Sequence, residues 1–231
     1  MPPVVLTLPF TGRWLVQNSP ARRVPSHGTD LFGERYAIDF VAVDARRRTA
    51  PVRDWRSVLS TEPASRFYAF GRPILAPVGG VVVVAHDDEP DHAGRRSQLA
   101  LVPYALGQVS RVRAGLGAVA GNHVVIGLDD RSVYVALVHL REGSVRVRAG
   151  ERVTVGQQLA ECGSSGNSTQ PHLHVQAMDG PDASVARGVP VEFRQYRLWH
   201  RDGTPTEIVQ GIPDERAVVE PSTASGRRRH G

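Results

Sequence analysis

Between residues 71 and 178 the apolar residues come in strand-length runs, and most runs are closed by glycine, proline, asparagine or aspartate. No helical stripe of apolar residues separates these runs, and this excludes a helical bundle or an alternating α/β chain. Residues 81–85, 98–104, 123–127, 132–140, 145–147, 152–153, 158–161 and 172–178 read as strands, with turns at 77–80 and at Asp129-Asp130. Upstream, residues 35–41 alternate. Tyr36, Ile38 and Phe40 share one face of a strand, while Ala37, Asp39 and Val41 share the other. Strands at this spacing predict an all-β chain, an antiparallel sandwich or barrel. The 23 glycines, the 17 prolines and a valine-dominated apolar set fit that expectation.

The flanks are less regular. Residues 1–26 form a proline-punctuated N-terminal segment with one apolar clip, Trp14-Leu15-Val16. Residues 44–70, with a helical turn at 55–59, and residues 86–115 read as loop insertions, and 181–200 as a closing segment. From 201 to 231 the pattern dissolves into a C-terminal tail ending in Arg227-Arg228-Arg229-His230, expected to be solvated and disordered at its end. The formal net charge is +5, and all 28 basic residues are arginine. Complete replacement of lysine points to composition bias, and basicity alone does not choose among nucleic acid, anionic lipid and an anionic cell wall. No stretch interleaves arginine with stacking aromatics, so nucleic acid is not the expected partner. Cys162 is the only cysteine, which excludes an intramolecular disulfide. No apolar run approaches the ~18 residues of a membrane span. Val4-Val5-Leu6 has no basic region ahead of it and is no signal peptide, which leaves the compartment open.

Pro171-His172-Leu173-His174 carries the most chemistry. On a strand, His172 and His174 point to one face about 6–7 Å apart, with Gln176 continuing it. One imidazole can hold a metal while its neighbour reaches the metal's water or a substrate oxygen. Two polar residues on a solvated strand face would look the same, but other residues shift the balance. His139 ends a stripe with Val133, Val135 and Leu137. Asp39 interrupts an apolar strand, where an unpaired carboxylate is expensive to bury and a cation, arginine or metal, is the remedy. A Gly/Ser/Thr loop, residues 163–170, precedes the histidine pair and permits close approach of an extended backbone.

Three segments then resemble the lysostaphin/LytM-type zinc metallopeptidases of the M23 family, in that family's order. They are Gly121-Asn-His-Val-Val-Ile126, Tyr134-Val-Ala-Leu-Val-His-Leu140, and the run from Val147 through the glycine-rich turn to His172-Leu-His-Val175. The resemblance spans about residues 71–178. It implies a β-sheet groove of the M23 (duplicated hybrid motif) type over residues 27–200, with Zn²⁺ as cofactor. Asp39 and His174 would be metal ligands, and His139 and His172 the catalytic pair. Asn122, Ser168 and Thr169 would be substrate contacts. The implied substrates are peptidoglycan or related peptides, met by a monomer. The chain departs from the family at the first ligand: His-x-x-x-Asp would place it at 35, which is arginine. His27, with Gly33 making a turn between it and Asp39, is the expected replacement, Asp30 an alternative. A site without its first ligand would make the chain a degenerate, non-catalytic binding or regulatory module. The remaining histidines carry less. His86 and His92 read as solvated, and His123 as a groove wall or a surface residue. A carrier domain is a third class, because Val-x-x-Gly-Gln-x-Leu turns occur in biotinyl and lipoyl domains. Without lysine neither group can be attached, and a phosphohistidine carrier would leave Asp39 unexplained.

Overall fold

The structure is a computed structural model, and it describes residues 1–52, 54, 57, 60–95, 119–129 and 132–222. In chain order the strands are β1 (Val4–Leu6), β2 (Trp14–Gln17), β3 (Ile38–Ala42), β4 (Pro73–Leu75), β5 (Gly80–His86), β6 (Asn122–Gly127) and β7 (Tyr134–Leu140). They continue with β8 (Arg152–Val153), β9 (Gln158–Glu161), β10 (Leu173–Met178), β11 (Gly188–Val189), β12 (Val191–Trp199), β13 (Pro205–Gly211) and β14 (Val218–Pro221). Twelve of these join one large sheet in the order β1-β12-β14-β2-β3-β10-β7-β6-β5-β8, with β11 beside β10 and β13 beside β12. Strands β4 and β9 pair separately.

The all-β expectation holds, with corrections. The sheet is mixed, because β1 runs parallel to β12. Residues 145–147 form no strand: Val145 N donates to Asp87 Oδ2 and Arg146 N to the Leu159 carbonyl. The segment after Trp199 does not dissolve but supplies β13 and β14, both paired to β12. Strand β13 was hidden because it is largely exposed and so carries no apolar alternation. Strands from residues 1–26 and 201–222 share one sheet with the segment between them. The turn expected at 55–59, the strand expected at 98–104 and the terminal arginines fall wholly or largely outside the described residues.

One face of the sheet packs on the core. Ile38, Phe40, Val135, Leu137, Leu173, Val175 and Phe193 are fully buried there, each side chain stabilising the fold by about 1.5–3 kcal/mol. Phe40 lies edge-on to Phe10 and Phe193 at centroid separations of 5.0 and 5.4 Å. The opposite face carries a smaller apolar cluster of Ala120, Val125, Ala136, Val138, Met178 and Ala183. The aspartate and histidines singled out in the sequence stand beside that second cluster.

Two glycines decide how the turn at 163–168 docks against the start of β6. Gly121 (φ +60°) and Gly166 (φ +66°) meet backbone to backbone. A Cβ on Gly121 would lie 2.6 Å from Gly166 N, and one on Gly166 2.4 Å from Gly121 N. Left-handed backbone plus overpacking predicts that Gly121→Ala loses about 2–3 kcal/mol, read as a lower urea midpoint at unchanged slope. A midpoint equal to that of the parent protein would show that the turn docks some other way.

Candidate metal centre and active site

Register alone brings the first two residues together. Strands β3 and β10 are antiparallel neighbours with His174 directly opposite Asp39, a pairing that sets Cβ atoms about 4.5–5.5 Å apart on one face. Their side chains meet at 3.0 Å, His174 Nδ1 to Asp39 Oδ1. His27 arrives from the loop ahead of β3. Gly28 and Gly33 both adopt positive φ (+78° and +73°), and the 3-10 turn Leu31–Tyr36 folds that loop back. His27 Nε2 lies 3.1 Å from Asp39 Oδ2.

His139 reaches the site by a different device. Strict alternation along β7 would leave it on the core face with Val135 and Leu137. Instead the β6–β7 register shifts, Asn122 opposing Leu140 and His123 opposing Val138, so that His139 is the extra residue of a bulge. Its φ of +63° turns the side chain to the groove face, while Leu140 resumes the core position. The rings of His139 and His172 are then 4.6 Å apart, and those of His139 and His174 6.0 Å. His27, Asp39, His139, His172 and His174 line one cavity of about 700 Å³, which also takes in Val125, Ala136 and Val138 from the apolar cluster.

The hydrogen bonds state what the centre lacks. Ser26 Oγ donates to the Glu34 carbonyl and so accepts from His27 Nδ1, which turns the lone pair of His27 Nε2 toward Asp39. His174 faces oxygen on both sides, Asp39 Oδ1 at 3.0 Å and Gln176 Oε1 at 2.8 Å. The Gln176 orientation is fixed by its amide donating to the Phe32 carbonyl. A carboxylate facing the His27 Nε2 lone pair, beside an imidazole that meets oxygen on both sides, needs a cation: a proton or a metal. The donor atoms of His27, Asp39 and His174 all lie within 4.8 Å of one another, a group that could hold a metal ion. This donor set of two imidazoles and a carboxylate suits a borderline metal such as zinc. His174 Nε2–H on Gln176 would be its outer-shell support.

Without a metal, protons supply the cation. Burial works to lower the His174 pKa, but its bond to Asp39 and that carboxylate's charge prevail and raise it to about 9. Burial likewise works to raise Asp39, but His27 first, then His172 and the bond from His174, hold it well below the usual carboxylate range. The His174 shift therefore adds stability to the metal-free protein that is complete below about 6.5 and is lost as the pH rises through about 9. His139 and His172 are different. Burial pulls both below the ordinary histidine value, His139 furthest, and keeps them neutral at pH 7. His139 Nδ1 is 2.9 Å from the Ser165 carbonyl and His172 Nδ1 2.8 Å from the Gln170 carbonyl. Each carbonyl accepts an Nδ1–H, which fixes the tautomer and leaves Nε2 as a free lone pair.

Not every expected residue lies where the sequence suggested. Asn122 is fully buried and is no substrate contact. Its amide donates to the Glu89 and Leu140 carbonyls and its oxygen accepts from Glu89 N, so it pins a loop to β6. Ser168 is also fully buried, its hydroxyl beside His172 Nδ1 at 3.0 Å, where it braces the ring rather than meeting a ligand. Thr169 does line the cavity. Asp30 pairs with Arg35 at 2.7 Å and is not among the residues that line the cavity, so the alternative ligand is not in place. His123 lines the cavity with Nδ1 donating to the Gly121 carbonyl. His92 is not simply solvated: its Nε2 lies 2.8 Å from the Gly166 carbonyl and braces the glycine turn. His86 Nε2 lies 2.9 Å from Asp88 Oδ1. Burial and the charge of Asp91 push the Cys162 thiol well up, out of nucleophile range. Asn18 escaped the sequence reading. Its amide donates to Asp39 Oδ2 at 2.8 Å across 21 residues of chain, a contact with no local signature.

Residues 101–187 match the model of Peptidase family M23. That segment carries His139, His172 and His174. His27 and Asp39 lie outside it. Among solved structures, the catalytic domain of the antimicrobial peptidase lysostaphin from Staphylococcus simulans is similar at 18% identity over 77% of this chain and 88% of that one, with a TM-score of 0.39. A zinc containing peptidase from Vibrio cholerae is similar at 19% identity over 67% of this chain and half (50%) of that one, with a TM-score of 0.34. At these scores the likeness bears on neither the site nor the activity.

Proposed function

We propose that this protein is a zinc-dependent endopeptidase acting on peptides of the peptidoglycan type. The observation that carries the proposal is a centre of three donor atoms in need of a cation, set against two neutral imidazoles in one cavity. His27, Asp39 and His174 would hold the zinc. When bound, zinc supplies Lewis acidity, polarising a peptide carbonyl and making water a nucleophile near neutral pH. His139 Nε2 and His172 Nε2 each offer a lone pair able to take a proton, and an imidazole that has gained one is the donor that steadies the oxygen gaining charge. His172 stands nearer the ligands, its Nε2 being 3.7 Å from Asp39 Oδ1. The family match over 101–187 supports the peptidase class, and the peptidoglycan assignment follows the resemblance carried by the Gly121, Tyr134 and His172 segments. Metal analysis of the purified protein, followed by digestion of peptidoglycan with and without a chelator, tests the proposal. One zinc per chain and chelator-sensitive release of peptides are expected. A metal-free protein that digests nothing after zinc is added overturns it.

Zinc binding should also release a proton. A metal ligand must be deprotonated, whereas His174 in the metal-free protein is protonated below about 9. Calorimetric titration of zinc at pH 7 in buffers of different ionisation enthalpy should therefore report about one proton released from this residue, a signal that fades above about 9. Affinity accordingly rises with pH through the neutral range. No proton release at pH 7 would place the metal away from His174.

A further inference from the structure

Arginine is dispersed along the sequence, but three of these residues converge in space. A cleft of about 430 Å³ adjoins the metal cavity, floored by Leu15 and Gln17 of β2 and walled by Arg47, Arg201 and Arg216. Asn18 lines both cavities, and its amide is the one bonded to Asp39. Strand β2 is the direct neighbour of β3, with Gln17 opposite Asp39 and Leu15 opposite Val41, so the cleft starts about 5 Å, one strand spacing, from the centre.

Charge compensation in this cleft is poor. Its single carboxylate, Glu215, accepts from Ser19 N at 2.9 Å and faces Arg22 at 3.8 Å. Among the described residues, Arg47, Arg201 and Arg216 form no ion pair. Arg47 is nevertheless held in place, its guanidinium donating to the Trp199 carbonyl at 2.8 Å while Arg13 stacks over the Trp199 ring at 3.4 Å. Three guanidiniums around one concavity, one of them pre-positioned, suit a carboxylate, which guanidinium binds through paired N–H donors.

We infer that the β2 cleft is an acidic subsite: it takes a carboxylate of the peptide whose backbone lies across the metal centre. The inference rests on the peptidase reading of the neighbouring site. The cleft discriminates peptides by charge, while the apolar wall on the β6–β7 side of the centre takes an uncharged residue.

The test is binding of fluorescent glycine–alanine hexapeptides with amidated ends, each carrying one glutamate or, in its twin, one glutamine at the same place. Anisotropy is read on the zinc-loaded parent and on the double variant Arg201→Ser/Arg216→Ser, with Arg201→Lys/Arg216→Lys as a charge-retaining control and thermal melting as the check on folding. At one or more positions the glutamate peptide should bind about tenfold or more tightly than its twin. That preference should weaken with salt, vanish in the serine variant and survive in part in the lysine variant. Equal binding of the twins, or a preference that persists in the serine variant, overturns the inference. So does polyphosphate bound through these arginines with no discrimination between the twins, because the cleft would then serve a phosphate polymer. Charge-dependent binding without cleavage sinks the hydrolysis reading and leaves the subsite standing; cleavage without a charge preference does the reverse.

Discussion

Asp39→Ala should strip the protein of its zinc. The carboxylate is the hinge of the centre, meeting His27 on one oxygen and His174 on the other, with Asn18 steadying it. Loss of an outer-shell partner alone weakens metal binding about 10- to 100-fold, and loss of a ligand should exceed the upper end of that range. Competition against a chromogenic chelator should therefore show more than a hundredfold weaker binding in Asp39→Ala. His27→Ala and His174→Ala should behave in the same way, and Asn18→Ala should fall in the outer-shell range. Full occupancy in Asp39→Ala or His174→Ala would put the metal elsewhere. Full occupancy in His27→Ala alone would return the first-ligand question to where the sequence left it, with two protein ligands and a degenerate site.

His139 should separate chemistry from binding. The side chain takes no part in the donor trio, and its free Nε2 opens into the shared cavity. Its replacement should leave zinc in place and lower kcat by about 10²–10⁴. Alanine at φ +63° carries backbone strain, so His139→Asn is the cleaner variant, because asparagine tolerates the left-handed region. His172→Ala should follow the same pattern. Loss of zinc from either variant would make that residue a ligand, and an unchanged rate in both would remove the pair from the chemistry.

The strands that build the core side of the groove were legible in the sequence, because Ile38–Phe40, Val135–Leu137 and Leu173–Val175 are strand-length segments whose large apolar side chains fall at every second position and enter the core. The partnership of Asp39 with His174 was foreshadowed by a carboxylate that an apolar strand could not bury alone. His139 shows where such reading stops. Alternation assigned it to the core stripe, and a register shift with positive φ moved it across the sheet. A bulge on a non-glycine residue leaves no mark in the pattern. Asn122 misled for the opposite reason: an asparagine at the mouth of a strand looks available, yet here each of its amide atoms is spent on backbone. The arginine cleft was illegible because Arg47, Arg201 and Arg216 are far apart in the chain and only the pairing of β12, β14 and β2 draws their segments together.

The contact between His174 and Asp39 joins residues 135 positions apart. On a growing polypeptide Asp39 and His27 emerge long before their partner, and β2 gains its second neighbour only when β14 has followed. The centre therefore has no partially synthesised precursor: an incomplete chain holds two potential ligands with nothing to close on. On the zinc reading, capture of the metal would await the synthesis of His174, the last of the three donors in the chain.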